Sequence, residues 1–138
     1  MTVPSVSVTW WRGRVYVTSK YSPGPGTYID KEPVMACKDA DPAEIGRNVL
    51  SGLRAFVDGG EMPDWNSYRS PLLAAAGVSS WSDLESGSRE CVIALEKDKY
   101  LLRSENGPQS LLLSSTPEEI GAGVLIALGR SANWETNG

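Results

Sequence analysis

The chain has 138 residues, of which 41% are hydrophobic and 22% are charged, so a single domain spanning residues 1–138 can bury a core without metal or disulfide support. Histidine is absent, which removes the commonest general base and metal ligand and argues against a hydrolase. The net charge of −4 is uneven, because residues 41–98 hold ten acidic and five basic groups. This balance disfavours direct nucleic-acid binding and favours a basic protein partner.

The first 40 residues are typical of extended structure. β-Branched and aromatic residues at 6–21 predict a hairpin that turns at Arg12-Gly13, and apolar stretches at 27–29 and 34–37 predict further extended segments. Pro33 indicates a strand start or a sheet edge, because proline cannot donate a ladder hydrogen bond. Trp10 and Trp11 are adjacent and must point to opposite faces of a strand, so only one of them packs in a given core.

A helix start occurs twice in the chain. Residues 41–54 and 116–129 align at a constant offset of 75, with seven of fourteen positions identical. Each copy opens with an N-cap residue, a proline and then a glutamate, which together satisfy the first free N–H groups of a helix. Glycine costs about 1 kcal/mol inside a helix, so Gly46 and Gly121, at equivalent places, predict close backbone packing or, alternatively, an anion site.

An acidic and aromatic segment separates the two helices. The first helix is predicted at 42–57, and residues 58–68 then form a loop that contains three carboxylates, a tryptophan and a tyrosine. Aromatic anchors beside charge are typical of protein interfaces, and the alternative is a loop whose tryptophan folds back onto the core. Two glycines and a proline in the loop exclude a helix that would align its carboxylates for a metal ion.

The rest of the chain predicts short helices and then strands. Residues 70–77 have the serine cap, proline and glycine terminator of a short helix, and a second helical turn follows Ser80. Strands are predicted at 90–96, 99–103 and 111–114. The result is an α+β fold, an antiparallel sheet with helices grouped on one side and two pseudo-repeated strand-strand-helix halves. The small polar tail beyond Arg130 is expected to fray.

No catalytic set, metal site or cofactor motif is predicted. Cys37 and Cys91 lie in apolar runs at a spacing that fits neither a metal site nor a redox pair, so buried free thiols are expected. The first five residues lack the features of a signal peptide, and the chain is expected to be cytoplasmic. The residues predicted to bind a partner are exposed acidic and aromatic ones: Asp58, Glu61, Asp64, Trp65, Tyr68, Asp83, Glu85 and Trp11.

Several segments resemble the immunity proteins of bacterial contact-dependent growth inhibition (CDI) systems. Residues 72–81, Leu-Leu-Ala-Ala-Ala-Gly-Val-Ser-Ser-Trp, are similar to that family's Leu-Leu-Lys-x-Ala-Gly-Val-Lys-Ser-Trp motif, and residues 92–95 and the Asn-Gly-Pro turn at 106–108 continue the similarity. The likeness spans roughly residues 15–130 and also includes the strand at 27–34 and the helix at 45–53. Ser79 and Leu84 depart from the pattern, which usually has lysine and an aromatic residue there.

The resemblance implies a non-catalytic inhibitor in the cytoplasm of the producing bacterium. Its partner would be a cognate toxin C-terminal domain, a basic RNase or DNase bound one to one, with no direct contact to nucleic acid or membrane and no cofactor. An acidic inhibitor can mimic the phosphates that such a nuclease binds. From the residues alone, a small acidic ligand-binding domain, an enzyme with a pocket between sheet and helices, and an oligomerisation module remain as alternatives.

Overall fold

The computed structural model describes residues 2–129, which form a seven-stranded sheet with four helices packed on it. The strands are β1 (Ser5–Trp11), β2 (Arg14–Gly24), β3 (Thr27–Lys38), β4 (Val57–Asp58), β5 (Arg89–Glu96), β6 (Lys99–Ser104) and β7 (Gly107–Leu112). The helices are α1 (Pro42–Arg54), α2 (Pro71–Ala76), α3 (Trp81–Glu85) and α4 (Pro117–Ala127). The predicted α+β fold is confirmed, whereas the predicted fraying beyond Arg130 concerns residues outside the described range.

The two halves of the chain meet at the centre of the sheet. The strand order is β3-β2-β1-β5-β6-β7, and Val8 of β1 lies opposite Cys91 of β5 in the antiparallel central pair. Each half therefore contributes three antiparallel strands followed by a long helix, one strand more than the predicted strand-strand-helix unit. In the first half, the third strand joins the predicted stretches at 27–29 and 34–37. In the second half, the strand predicted at 111–114 is β7, which begins inside the predicted turn, at Gly107, and ends at Leu112.

The strand β3 forms one edge of the sheet and contains an irregularity. Thr18 of β2 lies opposite Val34, but the next residue, Ser19, lies opposite Lys31, so Glu32 and Pro33 have no partner in the register. A proline at this point removes no ladder hydrogen bond, which confirms the prediction of a sheet edge at Pro33.

Helices cover both faces of the sheet, so the predicted one-sided arrangement is wrong. Alternate residues of a strand point to opposite faces. In β2, Val15 and Val17 belong to the core under α1 and α4, whereas Tyr16 packs with apolar residues of α2 and α3. The sequence could not show this, because helices of six and five residues are too short for apolar periodicity to indicate which face they cover.

Capping side chains determine where α1 and α4 begin, and the path of the chain into β4 determines where α1 ends. Thr116 and Glu119 form the predicted reciprocal capping box of α4. Asp41 caps α1 by accepting the Glu44 N–H at 3.1 Å, but the Glu44 carboxylate pairs with Arg47 instead of returning to the cap. The first helix ends at Arg54 rather than at 57, because the chain leaves it to form β4 along the end of β2. Within residues 2–129, no helix has the length and apolar character needed to cross a membrane.

The repeated glycines lie where α1 and α4 cross. A Cβ on Gly46 would overlap the carbonyl oxygen of Pro117, and a Cβ on Gly121 would overlap that of Pro42. The glycines therefore allow close backbone packing, the first of the two predicted roles. The same layer is filled by the shared apolar stripe of the two helices, since Ile45, Val49, Ile120 and Val124 are all fully buried.

Candidate functional site

The loop at 58–68 is anchored to the end of β2. Tyr21 donates its hydroxyl hydrogen to the carbonyl oxygen of Glu61 at 2.8 Å, and the Gly59 N–H donates to the carbonyl oxygen of Ser22 at 2.7 Å. A Cβ on Gly60 would lie 2.8 Å from the Tyr21 ring, and its φ of +113° suits glycine alone. The loop backbone is therefore fixed, while the carboxylates predicted to bind a partner are exposed: Asp58, Glu61 and Asp64.

The predicted aromatic residues of this loop come together. The N–H groups of Ser67 and Tyr68 donate to the Asp64 carbonyl oxygen at 3.0 and 2.9 Å, which turns the chain and brings Trp65 against Tyr68 edge to face, with ring centroids 5.5 Å apart. Tyr68 donates its hydroxyl hydrogen to the Asp30 carbonyl oxygen at 2.9 Å. Trp65 remains 60% exposed, so Tyr68 is the residue that attaches the loop to the sheet and Trp65 does not fold back onto the core.

Further aromatic residues join this pair from other parts of the chain. A surface cleft of about 420 Å³ lies between the loop, β3 and the start of α3. Trp81, the first residue of α3, lines it and is 45% exposed. We call this the aromatic cleft, and it is lined by Lys20, Tyr28, Ile29, Asp30, Trp65, Tyr68 and Trp81. The sequence prediction missed Tyr28 and Trp81, which come from β3 and α3.

The polar side of the aromatic cleft is an ion pair held in place. Lys20 Nζ lies 2.7 Å from Asp30 Oδ1, and the two side chains are only 12% and 16% exposed. The Ser70 hydroxyl donates to the second carboxylate oxygen of Asp30 at 3.1 Å. Burial, reinforced by the charge of Asp30, raises the pKa of Tyr68 above its usual range. Tyr68 is therefore a neutral hydrogen-bond donor at neutral pH.

The carboxylate of Glu90 is affected by burial and by several charged side chains. Burial raises the pKa of Glu90 in β5, the negative charges of Asp30 and Glu85 raise it further, and the Lys20 ammonium opposes them. Glu90 lies opposite Thr9 of β1 and lines a separate surface cleft together with Arg89 and Arg103. Glu85 lies at the end of α3. Glu85 was predicted as a binding residue; Asp30 and Glu90 were not.

The remaining predicted residues line a different cleft. Trp11 and Asp83 border an opening of about 750 Å³ on the other side of α3, together with several serines and small residues. Trp11 is only 7% exposed and packs in the core under α2 and α3, with the Arg12 guanidinium 4.4 Å above its ring. The residues predicted to bind a partner therefore do not share one surface. Asp58, Glu61 and Asp64 lie on the exposed loop, Trp65 and Tyr68 line the aromatic cleft, and Asp83 lines this cleft beside α3 with the mostly buried Trp11.

The two cysteines have the character of structural thiols. Both are free among the described residues, and Cys91 is buried in the central pair of strands. Burial raises the pKa of Cys37 to about 11 and that of Cys91 to about 12, with nearby carboxylates adding to both. Thiols of this kind are protonated at neutral pH and react poorly as nucleophiles. In residues 2–129, no three histidine, cysteine or acidic side chains are grouped so that they could hold a metal ion.

Comparison with known proteins finds similarity in fold. No protein-family model matches the chain, and a search of curated proteins finds no match. Among solved structures, a protein of unknown function from Neisseria meningitidis is similar with a TM-score of 0.74 at 16% identity, covering 94% of this chain and 96% of that one. A chain of the CdiA-CT/CdiI toxin and immunity complex from Yersinia pseudotuberculosis is similar with a TM-score of 0.71 at 16% identity, covering 95% of this chain and 98% of that one. The predicted resemblance to the CDI immunity family is thus confirmed as a shared fold.

Proposed function

We propose that this chain is an immunity protein that binds a cognate CDI toxin domain one to one and neutralises it in the cytoplasm of the producing bacterium. The observation that carries the proposal is the end-to-end match of its fold to a chain of a toxin and immunity complex. Segments across residues 15–130 resemble the immunity half of such systems, so sequence and fold support the same assignment independently. We propose further that the toxin is a basic nuclease, because acidic groups on this chain can occupy a phosphate-binding surface.

The surface chemistry supports binding rather than catalysis. Exposed tryptophans beside fixed tyrosine and carboxylate groups are typical of the residues that contribute most to protein interfaces. The space between the sheet and the helices is filled on both faces by buried apolar side chains. This packing argues against the alternative of a ligand-binding domain or enzyme with a pocket between sheet and helices. The clefts described above lie at the surface instead.

The proposal is tested by mixing the purified chain with the C-terminal domain of the toxin encoded immediately upstream. Light scattering after size exclusion should show a single species with the mass of one copy of each protein, and titration calorimetry should give a stoichiometry of one. The nuclease activity of the toxin domain should fall in proportion to the inhibitor added. Two separate peaks and an undiminished toxin activity would overturn the assignment.

A further inference from the structure

The strand β7 forms one edge of the sheet. It is the last strand in the order of the described residues, and its register with β6 runs without a shift. Residues 107–117 contain no charged side chain. The opposite edge, β3, has the irregularity at Glu32 and Pro33 and several charged residues, which are features that protect an edge from pairing with another strand. The edge at β7 has neither the irregularity nor the charges.

The turn before β7 determines which of its backbone groups point away from β6. Ser104 and Gly107 face each other across a two-residue turn, so they form a pair that exchanges both backbone hydrogen bonds. Hydrogen-bonded and non-hydrogen-bonded pairs alternate along an antiparallel ladder. The register of β5 with β6 also closes on a two-residue turn and gives β6 the same alternation. Three exposed residues of β7 therefore direct their backbone outward: Pro108, Ser110 and Leu112.

The outward groups of β7 are two donors and two acceptors. Pro108 has no N–H, and the carbonyl oxygen of Leu112 already accepts the N–H of Ser115 at 3.0 Å. Within the described residues, the groups that remain are the N–H groups of Ser110 and Leu112 and the carbonyl oxygens of Pro108 and Ser110. An ordinary antiparallel strand would place a carbonyl oxygen opposite Pro108, where it finds no donor, and an N–H opposite the occupied carbonyl oxygen of Leu112.

A second copy of β7 matches this pattern without a remainder. When two copies run antiparallel about a twofold axis at Ser110, the two Ser110 residues exchange their N–H and carbonyl groups. Each Leu112 then donates its N–H to the carbonyl oxygen of Pro108 in the other copy. The proline that lacks an N–H faces the carbonyl oxygen that needs none. The Leu112 side chain, 72% exposed in one copy, lies beside the proline of the other and loses apolar surface to it.

We propose that two copies of this chain associate through β7 and form one continuous sheet across a twofold axis at Ser110. Charge also favours this edge, because each copy carries a net charge of −4 and the two strands meet without a charged side chain in either. The contact is small, so the association is weak and reversible. The inference does not depend on toxin binding. At the low micromolar concentrations of the toxin titration the chain is a monomer, and the one-to-one stoichiometry proposed above is unaffected.

The association is measured by sedimentation equilibrium of the full chain from about 10 μM to about 1 mM, a range that detects weak complexes. The mass of the native chain should rise from one copy toward two. Ser110→Lys sets two like charges opposite each other at the axis and should weaken association about 5-fold or more, and Ser110→Glu should do the same. An equimolar mixture of these two variants should recover the association, because opposite charges then face each other. Ser51→Lys makes the same change of charge at an exposed serine of α1 and should behave like the native chain.

Amide hydrogen exchange at low and high concentration identifies the groups in contact. The N–H groups of Ser110 and Leu112 should exchange several-fold more slowly at high concentration, whereas those of Gln109 and Leu111, which are bonded to β6, should not change. Thermal unfolding verifies that each variant is folded. A native chain that stays monomeric throughout would overturn the proposal, and so would a dimer that Ser110→Lys leaves unchanged. Slower exchange at Ser110 and Leu112 that appears only with the toxin domain would also overturn it, since a toxin strand would then be the occupant.

Discussion

Gly46 of α1 packs directly on the backbone of Pro117 at the start of α4, and Gly121 packs in the same way on Pro42 at the start of α1. A Cβ on Gly46 would lie 2.7 Å from the Pro117 Cα, and a Cβ on Gly121 would lie 2.8 Å from the Pro42 Cα. The contact is reciprocal, as expected for two elements related by a twofold axis. The sheet has the same twofold relation, because its strand order is symmetric about the β1–β5 pair. The repeated helix start is therefore scaffold.

Replacing either glycine should destabilise the protein. Gly46→Ala or Gly121→Ala should lower the free energy of unfolding by about 2–3 kcal/mol, because the obstructing atoms are backbone and cannot rotate away. This loss should exceed the gain of about 1 kcal/mol that alanine normally brings to a helix. Gly24→Ala is the control, since a Cβ there meets no atom within 4 Å. Urea unfolding measures the difference, and an alanine variant as stable as the native chain would refute the close-packing role.

The layer under α2 and α3 should depend on Leu84. This residue is 2% exposed and packs in the cluster that contains Trp11 and Tyr16. Leu84→Ala should cost about 2–4 kcal/mol and leave α3 poorly held. Hydrogen exchange should then increase in α3, which carries Trp81, well before it increases in α1. Ile126→Ala, at an exposed position of α4, should change neither the free energy of unfolding nor the hydrogen exchange of α3. If hydrogen exchange increased equally in α3 and α1, the claim that Leu84 specifically holds α3 would be wrong.

Some of these features could be predicted from sequence because their causes are local. Ser70, Pro71 and Gly77 define α2 within eight residues, and Gly77 adopts the expected left-handed conformation with φ of +75°. The sequence did not predict β4, because a strand of two residues is too short to show alternation of apolar and polar residues. It forms because it pairs with the end of β2, which is distant in the sequence. The face covered by α2 and α3 was likewise not encoded locally.

The candidate site was only partly predictable for the same reason. Trp65 and Tyr68 are three residues apart and share one turn, so their proximity follows from the loop itself. Trp81 reaches the same cleft only because α2 and α3 fold back over the sheet. Asp30 joins the cleft because the register of β2 and β3 places it opposite Lys20.

Reversing the charges of the exposed loop should slow complex formation. The triple variant Asp58→Lys/Glu61→Lys/Asp64→Lys reverses the charge of the surface that we propose to face a basic toxin, so the association rate should fall about 10-fold or more at low salt. The rate should also lose most of its salt dependence. Stopped-flow mixing measures both. At about 1 M salt the Debye length is only about 3 Å, so variant and native chain should associate at similar rates. Unchanged low-salt kinetics would remove the loop from the approach path.

Alkaline pH should lower the free energy of unfolding because the Cys91 thiol is buried. Burial raises its pKa from the usual 9.0 to about 12, so the unfolded chain releases this proton at lower pH than the folded chain does. The associated stability is fully present below pH 9 and is lost as the pH rises toward 12, by about 1 kcal/mol at pH 10. Urea unfolding at pH 7 to 10 should show a steeper decline for the native chain than for Cys91→Ala. Parallel declines would contradict the buried-thiol description.

Protection of living cells tests the central claim most directly. The toxin domain encoded upstream is expressed in a susceptible strain from an inducible promoter, with the native chain or an empty vector supplied in trans. The immunity assignment predicts that cells with the native chain continue to grow after induction while the empty-vector cells stop, and that the Trp65→Ala/Trp81→Ala variant protects less at matched expression. Growth arrest in the presence of well-expressed native chain would contradict the account.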